Sequence, residues 1–492
     1  MAHPDGTVSA GRIAGLTGWH ADWRGLKVVV LGAGVTGFAA ADTLVELGCD
    51  VLVAASAATD ERRELLDVIG ARLVTADPAG QAAALAAHEP DLVVVSPGYH
   101  PDDPALQAAG DVPVIGDVEL AWRLRDKTGD PAEWITITGT NGKTTTTRLA
   151  AAMLAADGRR VAACGNIGVP VLDAVRDPQG FDVLVVELSS YQLHWMEQVA
   201  PVASACLNVA DDHLDWHGSF EAYAAAKGRV YERTRIACVY NLADATTERL
   251  VREADVVEGC RAIGFTLGVP AVSDLGVVDG VLVDRAFLDQ RASSALELTT
   301  VDALREQGLD APHVVEDVLA AAALARAVGV APRVIREALR SFRLDPHRIE
   351  RIGEIDGVVF VDDSKATNPH AAAASLGAFE RVVWVAGGLT KGVDVAPLVG
   401  AAAERLAGVV LIGTDRSAFL AALERHAPGV PVAEVTAGET DDVMAEAVRA
   451  ALELASPGDV VLLAPAAASM DQFTDYGDRG RRFAEAVRAA AS

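Results

Sequence analysis

Lys143 and Thr144 are the residues best suited to do chemistry, because of the stretch in which they stand. That stretch is Thr138-Gly139-Thr140-Asn141-Gly142-Lys143-Thr144-Thr145. Glycines let backbone N–H groups approach phosphate oxygens, and a helix start adds partial positive charge. Lys143 can reach terminal phosphates, and the Thr144 hydroxyl can ligate Mg²⁺. The usual phosphate loop has glycine five residues before its Gly-Lys pair. Ile137 occupies that position, so the loop is a shortened variant. Downstream, the apolar run 181–186 ends at Glu187, where an acid serving Mg²⁺ is expected. Three acids and two histidines then crowd the segment 211–217, including Asp212, His213 and His217. Their spacing permits zinc. Mg²⁺ beside phosphate takes mostly oxygen ligands, which ranks a second Mg²⁺ or a substrate site above zinc. Lys227 falls on the apolar face of the following helix. The amine either snorkels to solvent or is buried with a lowered pKa, and the residues by themselves favour snorkelling. A further set, Lys365, Thr367, Lys391 and Ser469, offers the cations and hydroxyls that suit a small dicarboxylate.

These residues need elements to position them. Glu133–Ile137 reads as a strand and Thr146–Leu154 as a helix, so the loop joins strand to helix. Earlier, the strand Lys27–Leu31 runs into Gly32-Ala33-Gly34-Val35-Thr36-Gly37 and a helix from Phe38 to Leu47. That is a dinucleotide fingerprint in its proper context. A NAD site wants an acid after the next strand, Asp50–Val53, but Ala54 and Ala55 stand there. The strand Asp91–Val95 ends at Ser96-Pro97-Gly98, a turn on the edge where ligands collect in parallel sheets. Cys164-Gly165-Asn166 makes another turn with a side chain able to reach a ligand. Ser219 caps a helix whose apolar face is Phe220, Tyr223, Ala224, Val230 and Tyr231. Asp279-Gly280 predicts a small antiparallel hairpin. Helices are expected over 314–328 and 332–341. From Leu344 onward, strands at 357–361, 381–385, 409–412 and 460–463 alternate with helices and predict another parallel sheet.

The chain is therefore expected to be α/β with three domains. Residues 1–127 form a Rossmann-like domain and residues 128–344 a central P-loop domain carrying the hairpin. Residues 345–492 form a second Rossmann-like domain. With 51% hydrophobic residues, sizeable cores can form. No apolar segment reaches the ~20 residues of a membrane span, and Met1 to Arg12 lack a signal-peptide pattern. A cytoplasmic protein is expected. The five cysteines form no Cys-x-x-Cys pair and suit reduced core thiols. A net charge of −27 disfavours nucleic acid and anionic membranes as partners. Six lysines stand against 36 arginines, so the remaining lysines are candidates for work that needs a compact amine.

Three strand-edge sites, for a large ligand, ATP–Mg²⁺ and a small anion, suit an ATP-driven ligation. A carboxylate would be phosphorylated, and an amine would attack the acyl phosphate. No Ser/His/Asp or Cys/His nucleophile pattern competes.

The residues that carry these sites resemble a known family. Gly139–Thr144, Glu187-Leu188-Ser189-Ser190-Tyr191-Gln192-Leu193, Asn208-Val209 with Asp212-His213, and Pro346-His347-Arg348 all match the Mur ligases of peptidoglycan synthesis. So do Asp363-Ser364-Lys365-Ala366-Thr367-Asn368 and Ser469-Met470-Asp471-Gln472-Phe473. The resemblance runs over nearly the whole chain, in order. The loop is shared with folylpolyglutamate synthases; the 363–368 stretch is the specific part, and it points to the branch that takes D-glutamate. The resemblance implies ATP with two Mg²⁺ ions, and UDP-N-acetylmuramoyl-L-alanine and D-glutamate as small-molecule substrates of a monomer.

It also implies roles. Gly139, Thr140, Asn141, Gly142, Lys143, Thr144 and Thr145 would hold ATP, with Arg348 and Asp363 from the third domain. Lys143, Glu187, His213, Lys227 and Lys365 would serve catalysis. Thr144, Glu187, His213 and a carbamylated Lys227 would bind metal, which reverses the snorkelling preference. Val35, Thr36, Ser96, Asn166 and His213 would contact the UDP-sugar. Thr367, Lys391, Ser469 and Tyr476 would line the D-glutamate site. The chain departs from the family at Ala54 and Ala55, at Val314 after His313, and at Tyr476, where phenylalanine is usual. Another amide ligase such as a folylpolyglutamate synthase, a nicotinamide oxidoreductase built on Gly32–Gly37, and a non-catalytic nucleotide-binding module are the rivals.

Overall fold

The structure is a computed structural model that describes residues 10–435 and 440–491. Residues 1–9, on which most of the signal-peptide reading rests, lie outside the described residues. The chain folds into two compact units. One comprises Met1–Val209, His213–Thr300 and Glu316–Arg340; the other comprises Ala210–Asp212, Val301–Val315 and Ser341–Ser492.

The first unit holds two sheets. Strands β1 (Lys27–Leu31), β2 (Asp50–Ala55), β3 (Arg72–Thr75), β4 (Leu92–Val95) and β5 (Val114–Gly116) form a parallel sheet in the order β3-β2-β1-β4-β5. This doubly wound order reverses between β1 and β4, the point at which such sheets bind ligands. The runs at β1, β2 and β4 are apolar because both faces are covered. The expected strand over 50–53 extends through Ala54 and Ala55, which are themselves buried. Strands β3 and β5 were not expected; β3 is short and mixed, and β5 has only three residues.

The second sheet continues with β6 (Glu133–Thr138), β7 (Val161–Gly165), β8 (Val183–Glu187), β9 (Ala203–Cys206) and β10 (Ala237–Asn241). It is completed by β11 (Arg261–Phe265), β12 (Asp274–Val278), β13 (Val281–Asp284) and β14 (Leu296–Thr300). Its order is β14-β13-β12-β11-β10-β9-β6-β8-β7. The hairpin over Asp279-Gly280 forms between β12 and β13, with Val278 opposite Val281. It is no separate module: β12 pairs with β11, and β13 with β14, so the hairpin extends the parallel sheet in antiparallel fashion.

In the second unit, β15 (Glu350–Ile355), β16 (Val358–Asp362), β17 (Val382–Gly387), β18 (Leu406–Ile412), β19 (Val432–Glu434) and β20 (Val460–Leu463) order as β15-β16-β20-β17-β18-β19. The expectation of a wholly parallel sheet is corrected at one edge, where β15 runs antiparallel to β16. The two-residue turn Asp356-Gly357 makes that hairpin, with both residues in the left-handed region (φ 49° and 79°). Within β17, alternate residues serve two cores. Val382, Trp384 and Ala386 face one cluster, and Val383 and Val385 face the other.

All five cysteines are free. Burial pushes the Cys164 and Cys206 thiols up to about 12, which leaves them inert core residues rather than nucleophiles.

Candidate active site: a phosphate loop, a buried lysine and two strand-edge clusters

The phosphate loop is built from its neighbours inward. β6 delivers Thr138, and its hydroxyl donates to the Leu188 carbonyl at 2.8 Å. The Thr140 amide donates to the Asn208 carbonyl at 2.9 Å, and the Asn141 amide to Asn208 Oδ1 at 2.8 Å. Asn208 thus grips the loop from the end of β9. Gly142 caps helix Lys143–Ala156 at φ 82°, with no side-chain cap. A Cβ there would stand 2.2 Å from Asp317 Oδ1, so only glycine fits. A glycine turn leading into a helix start is the local arrangement that receives an anion.

Lys143 Nζ donates to the carbonyls of Gly139 at 2.9 Å and Thr140 at 3.0 Å. Lys227 Nζ reaches the same Gly139 carbonyl at 2.9 Å. Lys227 is 2% exposed, and its amine lies 4.7 Å from the Tyr223 ring centroid. The preference for snorkelling is therefore wrong: the helix turns this face onto the loop, and the side chain is enclosed by the second sheet. Tyr223, read as an apolar-face residue, also places its hydroxyl 3.1 Å from Thr140 Oγ1.

Glu187 is the last residue of β8 and pairs with Ile137, one residue before the loop begins. It is 2% exposed. Its Oε1 accepts from Asn166 Nδ2 at 2.9 Å, while the buried Oε2 has no hydrogen-bond partner. A buried carboxylate oxygen of that kind is costly unless a cation or donor completes it, so the donor set fits a hard divalent ion. His213 sits at φ 52° before helix Leu214–His217. Its ring lies 6.4 Å from the Tyr223 ring, and His217 Nε2 lies 2.9 Å from Ser190 Oγ, joining this segment to the Glu187 turn.

At the edge of the first sheet, Gly32 has φ 109°, and a Cβ there would lie 2.4 Å from Ser96 Oγ. Ser96 Oγ is buried and has no partner. Helix Val35–Glu46 begins after Gly34 with no side-chain cap, Val35 is 63% exposed and Thr36 half-buried. These groups form an anion-accepting edge. His100 Nε2 lies 2.9 Å from the Trp216 carbonyl, which ties this edge to the His213 segment.

The second unit carries its own cluster at the ends of β16, β17 and β20. Asp363 is buried, its carboxylate accepts from the Ser375 hydroxyl, and the Ile349 amide donates to Oδ1 at 3.3 Å. Burial pushes its carboxyl up to about 6, against the pull of Ser375 and of the Arg348 charge. Arg348 Nε is buried without a partner. Lys365 Nζ lies 5.3 Å from the Tyr476 ring centroid, so two of the expected residues meet. Thr367 follows in the same loop, its amide donating to the Lys365 carbonyl at 2.9 Å. Ser469 is buried and Lys391 exposed at φ 52°; the loops that bear them bridge through Leu389 and Ala468. Arg479, fully buried, was missed. It donates to Ser364 Oγ, Ser364 O and Ala467 O at 2.9, 2.8 and 3.1 Å, holding two strand ends together. Among 36 arginines nothing local marks it. A separate group, His347, Glu350 and Asp362, brings three potential metal ligands within 4.8 Å of one another. His347 and Asp362 already satisfy each other at 2.7 Å.

Comparison with known proteins accounts for these parts together. Residues 137–278 match the Mur ligase middle domain, and residues 347–467 the Mur ligase glutamate ligase domain. Residues 7–100 match the C-terminal domain of alanine dehydrogenase/PNT. That match covers β1 to β4 of the Rossmann-like sheet, where buried Ala54 and Ala55 stand in place of a ribose-binding acid. The UDP-N-acetylmuramoylalanine--D-glutamate ligase of Leifsonia xyli subsp. xyli is 63% identical over 495 residues, covering 98% of this chain and 96% of its own. Its Streptomyces coelicolor counterpart is 53% identical over 476 residues, covering 95% and 98%. The crystal structure of UDP-N-acetylmuramate-alanine ligase from Thermotoga maritima, 20% identical, superposes with a TM-score of 0.53 over 94% of this chain and 100% of its own. That likeness carries the fold. With near-complete coverage at such identity, the chain belongs to the Mur ligase family, within its UDP-N-acetylmuramoylalanine--D-glutamate ligases.

Proposed function

We propose that this chain joins D-glutamate to the L-alanine carboxylate of UDP-N-acetylmuramoyl-L-alanine at the expense of ATP, in the synthesis of peptidoglycan precursors. The observation that carries the chemistry is the convergence of Lys143 and Lys227 on the Gly139 carbonyl, at 2.9 Å each. It sets two amines at a loop whose amides are arranged for phosphate. On this reading residues 1–127 take the UDP-sugar, with Val35, Thr36 and Ser96 at the sheet edge and Asn166 beside Glu187. Residues 128–344 take ATP on the phosphate loop. Residues 345–492 take D-glutamate at Thr367, Lys391, Ser469 and Tyr476, while Lys365, Arg348 and Asp363 serve the nucleotide.

Thr144, Glu187, His213 and a carbamylated Lys227 would hold Mg²⁺, in two ions, which supplies charge neutralisation for the transferring phosphoryl group. Carbamylation of Lys227 joins its deprotonated amine to carbon dioxide through an N–C bond, and two protons are released in all from the starting ammonium. It replaces one of two like charges on Gly139 by an anion. Lys143 binds the γ-phosphoryl as it passes to the alanine carboxylate, with ADP leaving. The D-glutamate amine loses a proton and attacks the acyl carbon. The tetrahedral intermediate then expels phosphate and leaves the amide. The Asn208 contacts and the buried Tyr223 contact hold the loop for this role.

Among the described residues no helix is long and apolar enough to cross a membrane. We place the chain with its small-molecule substrates in the cytoplasm, as a monomer. The test is phosphate release from ATP with UDP-N-acetylmuramoyl-L-alanine, comparing D-glutamate, L-glutamate, L-lysine and no amino acid. Release with D-glutamate alone is expected. Release with another acceptor would keep the mechanism and overturn the substrate. No release from folded, ATP-binding protein would overturn the ligase.

A further inference from the structure

Two thiols outside the proposed active site touch each other. Cys238 lies in β10, and Cys260 ends the turn before β11. Their sulfurs stand 3.7 Å apart. In the parallel register Ala237 faces Arg261 and Cys238 faces Ala262. Cys260 stands two residues before Ala262, so it shares a sheet face with Cys238. Cys238 is 2% exposed, and its sulfur also meets Ser204 Oγ at 3.7 Å. Cys260 is half-buried, and Val257, Glu258 and Gly259 just before it are exposed. The Cys260 amide donates to the Val257 carbonyl at 3.0 Å, which closes a tight turn. Gly259 holds φ 90° in that turn, with open space where a side chain would stand.

The two thiols are unlike. Contact with the Cys238 thiol holds Cys260 below the usual thiol range, while that same contact and burial push Cys238 up. The thiolate is the reactive form, so Cys260, the one nearer solvent, is the nucleophile. Cys238 is the thiol placed to resolve what forms on it. A disulfide holds its sulfurs at about 2.05 Å, about 1.7 Å closer than these stand. Cys260 can make that approach, because it lies outside β11 on a turn with open space beside it.

We infer that Cys238 and Cys260 form an oxidation site, converted by hydroperoxides to a reversible disulfide within the chain. Cys260 sulfur attacks the terminal peroxide oxygen. An S–O bond forms, the O–O bond breaks, and the leaving oxygen takes the Cys260 proton as water or alcohol. Cys238 sulfur then attacks the sulfenic sulfur. The S–S bond forms, the S–O bond breaks, and water leaves with the Cys238 proton. Two thiols are oxidised by two electrons, and one hydroperoxide is reduced. The bond closes residues 238–260 into a ring that contains helix Ala245–Glu253. Asp244, which caps that helix, accepts from the Val209 amide at 2.7 Å. The cross-link therefore braces the element that holds the residue next to Asn208.

The experiment uses the full-length chain, reduced and freed of reductant, in wild-type, Cys238→Ala and Cys260→Ser forms. Each is treated with hydrogen peroxide, quenched with catalase, alkylated with N-ethylmaleimide in urea and digested with trypsin. Wild type is expected to lose two of its five thiols, with Cys164 and Cys206 still alkylated as internal controls. Peptides 236–249 and 253–261 are expected to be joined, and dithiothreitol to part them. The oxidised chain is expected to run as a monomer on a non-reducing gel. Cys238→Ala is expected to stop at a Cys260 sulfenic acid that dimedone traps, and Cys260→Ser to keep its Cys238 thiol. Alkylation of Cys238 and Cys260 in treated wild type as complete as that of Cys164 and Cys206 would overturn the proposal. So would unlinked Cys260 running on to sulfinic acid, or a link that joins two chains. Loss of the Cys238 thiol from Cys260→Ser at the wild-type rate would overturn Cys260 as the nucleophile. The wild-type digest decides the cross-link even if a variant fails to fold.

Discussion

Lys227 shows how much one side chain's surroundings decide. Its amine is enclosed at 2% exposure and shares the Gly139 carbonyl with Lys143. Two ammonium groups on one carbonyl repel, and a carbamate on Lys227 removes that repulsion. Lys227→Ala is expected to lower phosphate release by ~100-fold, the upper range for losing a metal-site group, and small carboxylates such as acetate to restore part of it. Full activity in the alanine variant would remove the role. Asp117 makes a different prediction at the same scale. It is 4% exposed, its Oδ1 has no partner, and burial pushes its carboxyl from 3.8 up to about 6. The folded chain binds this proton more tightly than the unfolded chain. Its contribution to stability is thus fully present below pH ~4 and is lost as pH rises through about 6. At about 1.4 kcal/mol per pKa unit, that loss is on the order of 3 kcal/mol. Asp117→Asn retains an acceptor for Gln192 Nε2, which now donates to Asp117 Oδ2 at 3.4 Å. The variant should melt higher than wild type at neutral pH, with the gap closing toward pH ~4. Parallel pH–melting profiles would contradict this.

Among the elements, the strand ends of the second unit depend on a side chain from the last helix. Arg479 lies on helix Tyr476–Ala490 and donates to the loop after β16 and the loop after β20. Those loops carry Lys365 and Ser469. Arg479→Met fills the same space but leaves three buried acceptors with one partner fewer. The expected cost is ~3 kcal/mol in urea unfolding of the second unit. Hydrogen exchange should rise at residues 363–367 and 466–469 before it rises in β17. Uniform exchange across the unit would show that Arg479 is an ordinary packing residue. The loop of the first unit is supported more redundantly, by Asn208 and Tyr223 directly and by Asp317 through Thr146 on the helix that follows it.

On the scale of the whole molecule, the dominant fact is a net charge of −27. Such a charge destabilises the compact state through self-repulsion. Raising ionic strength from ~0.01 to ~0.3 M shortens the screening length from about 30 Å to below 10 Å. If that recovers ~1 kcal/mol, the melting midpoint should rise by about 2–4 °C. A midpoint that falls with added NaCl would mean that the surface ion pairs, such as Arg176 with Asp42 and Glu46, outweigh the repulsion.

By itself the sequence determined the α/β class and the places where chemistry gathers. Strand, glycine turn and helix start are local patterns, and residues such as Gly139, Gly142, Lys143 and Glu187 lie within them. For the same reason β1, β6 and β20 are legible as apolar runs, whereas β3 is short and mixed and β5 has only three residues. Tertiary structure decided what depends on distant residues meeting. It buried Lys227 under Gly139, 88 positions away in the chain. It set the Tyr191 hydroxyl on His213, placed Arg479 beneath Ser364, and turned β15 antiparallel at the edge of a parallel sheet. Periodicity shows which face of an element is apolar. Which group that face meets is settled only when the elements pack, because burial and hydrogen bonding are properties of the pair.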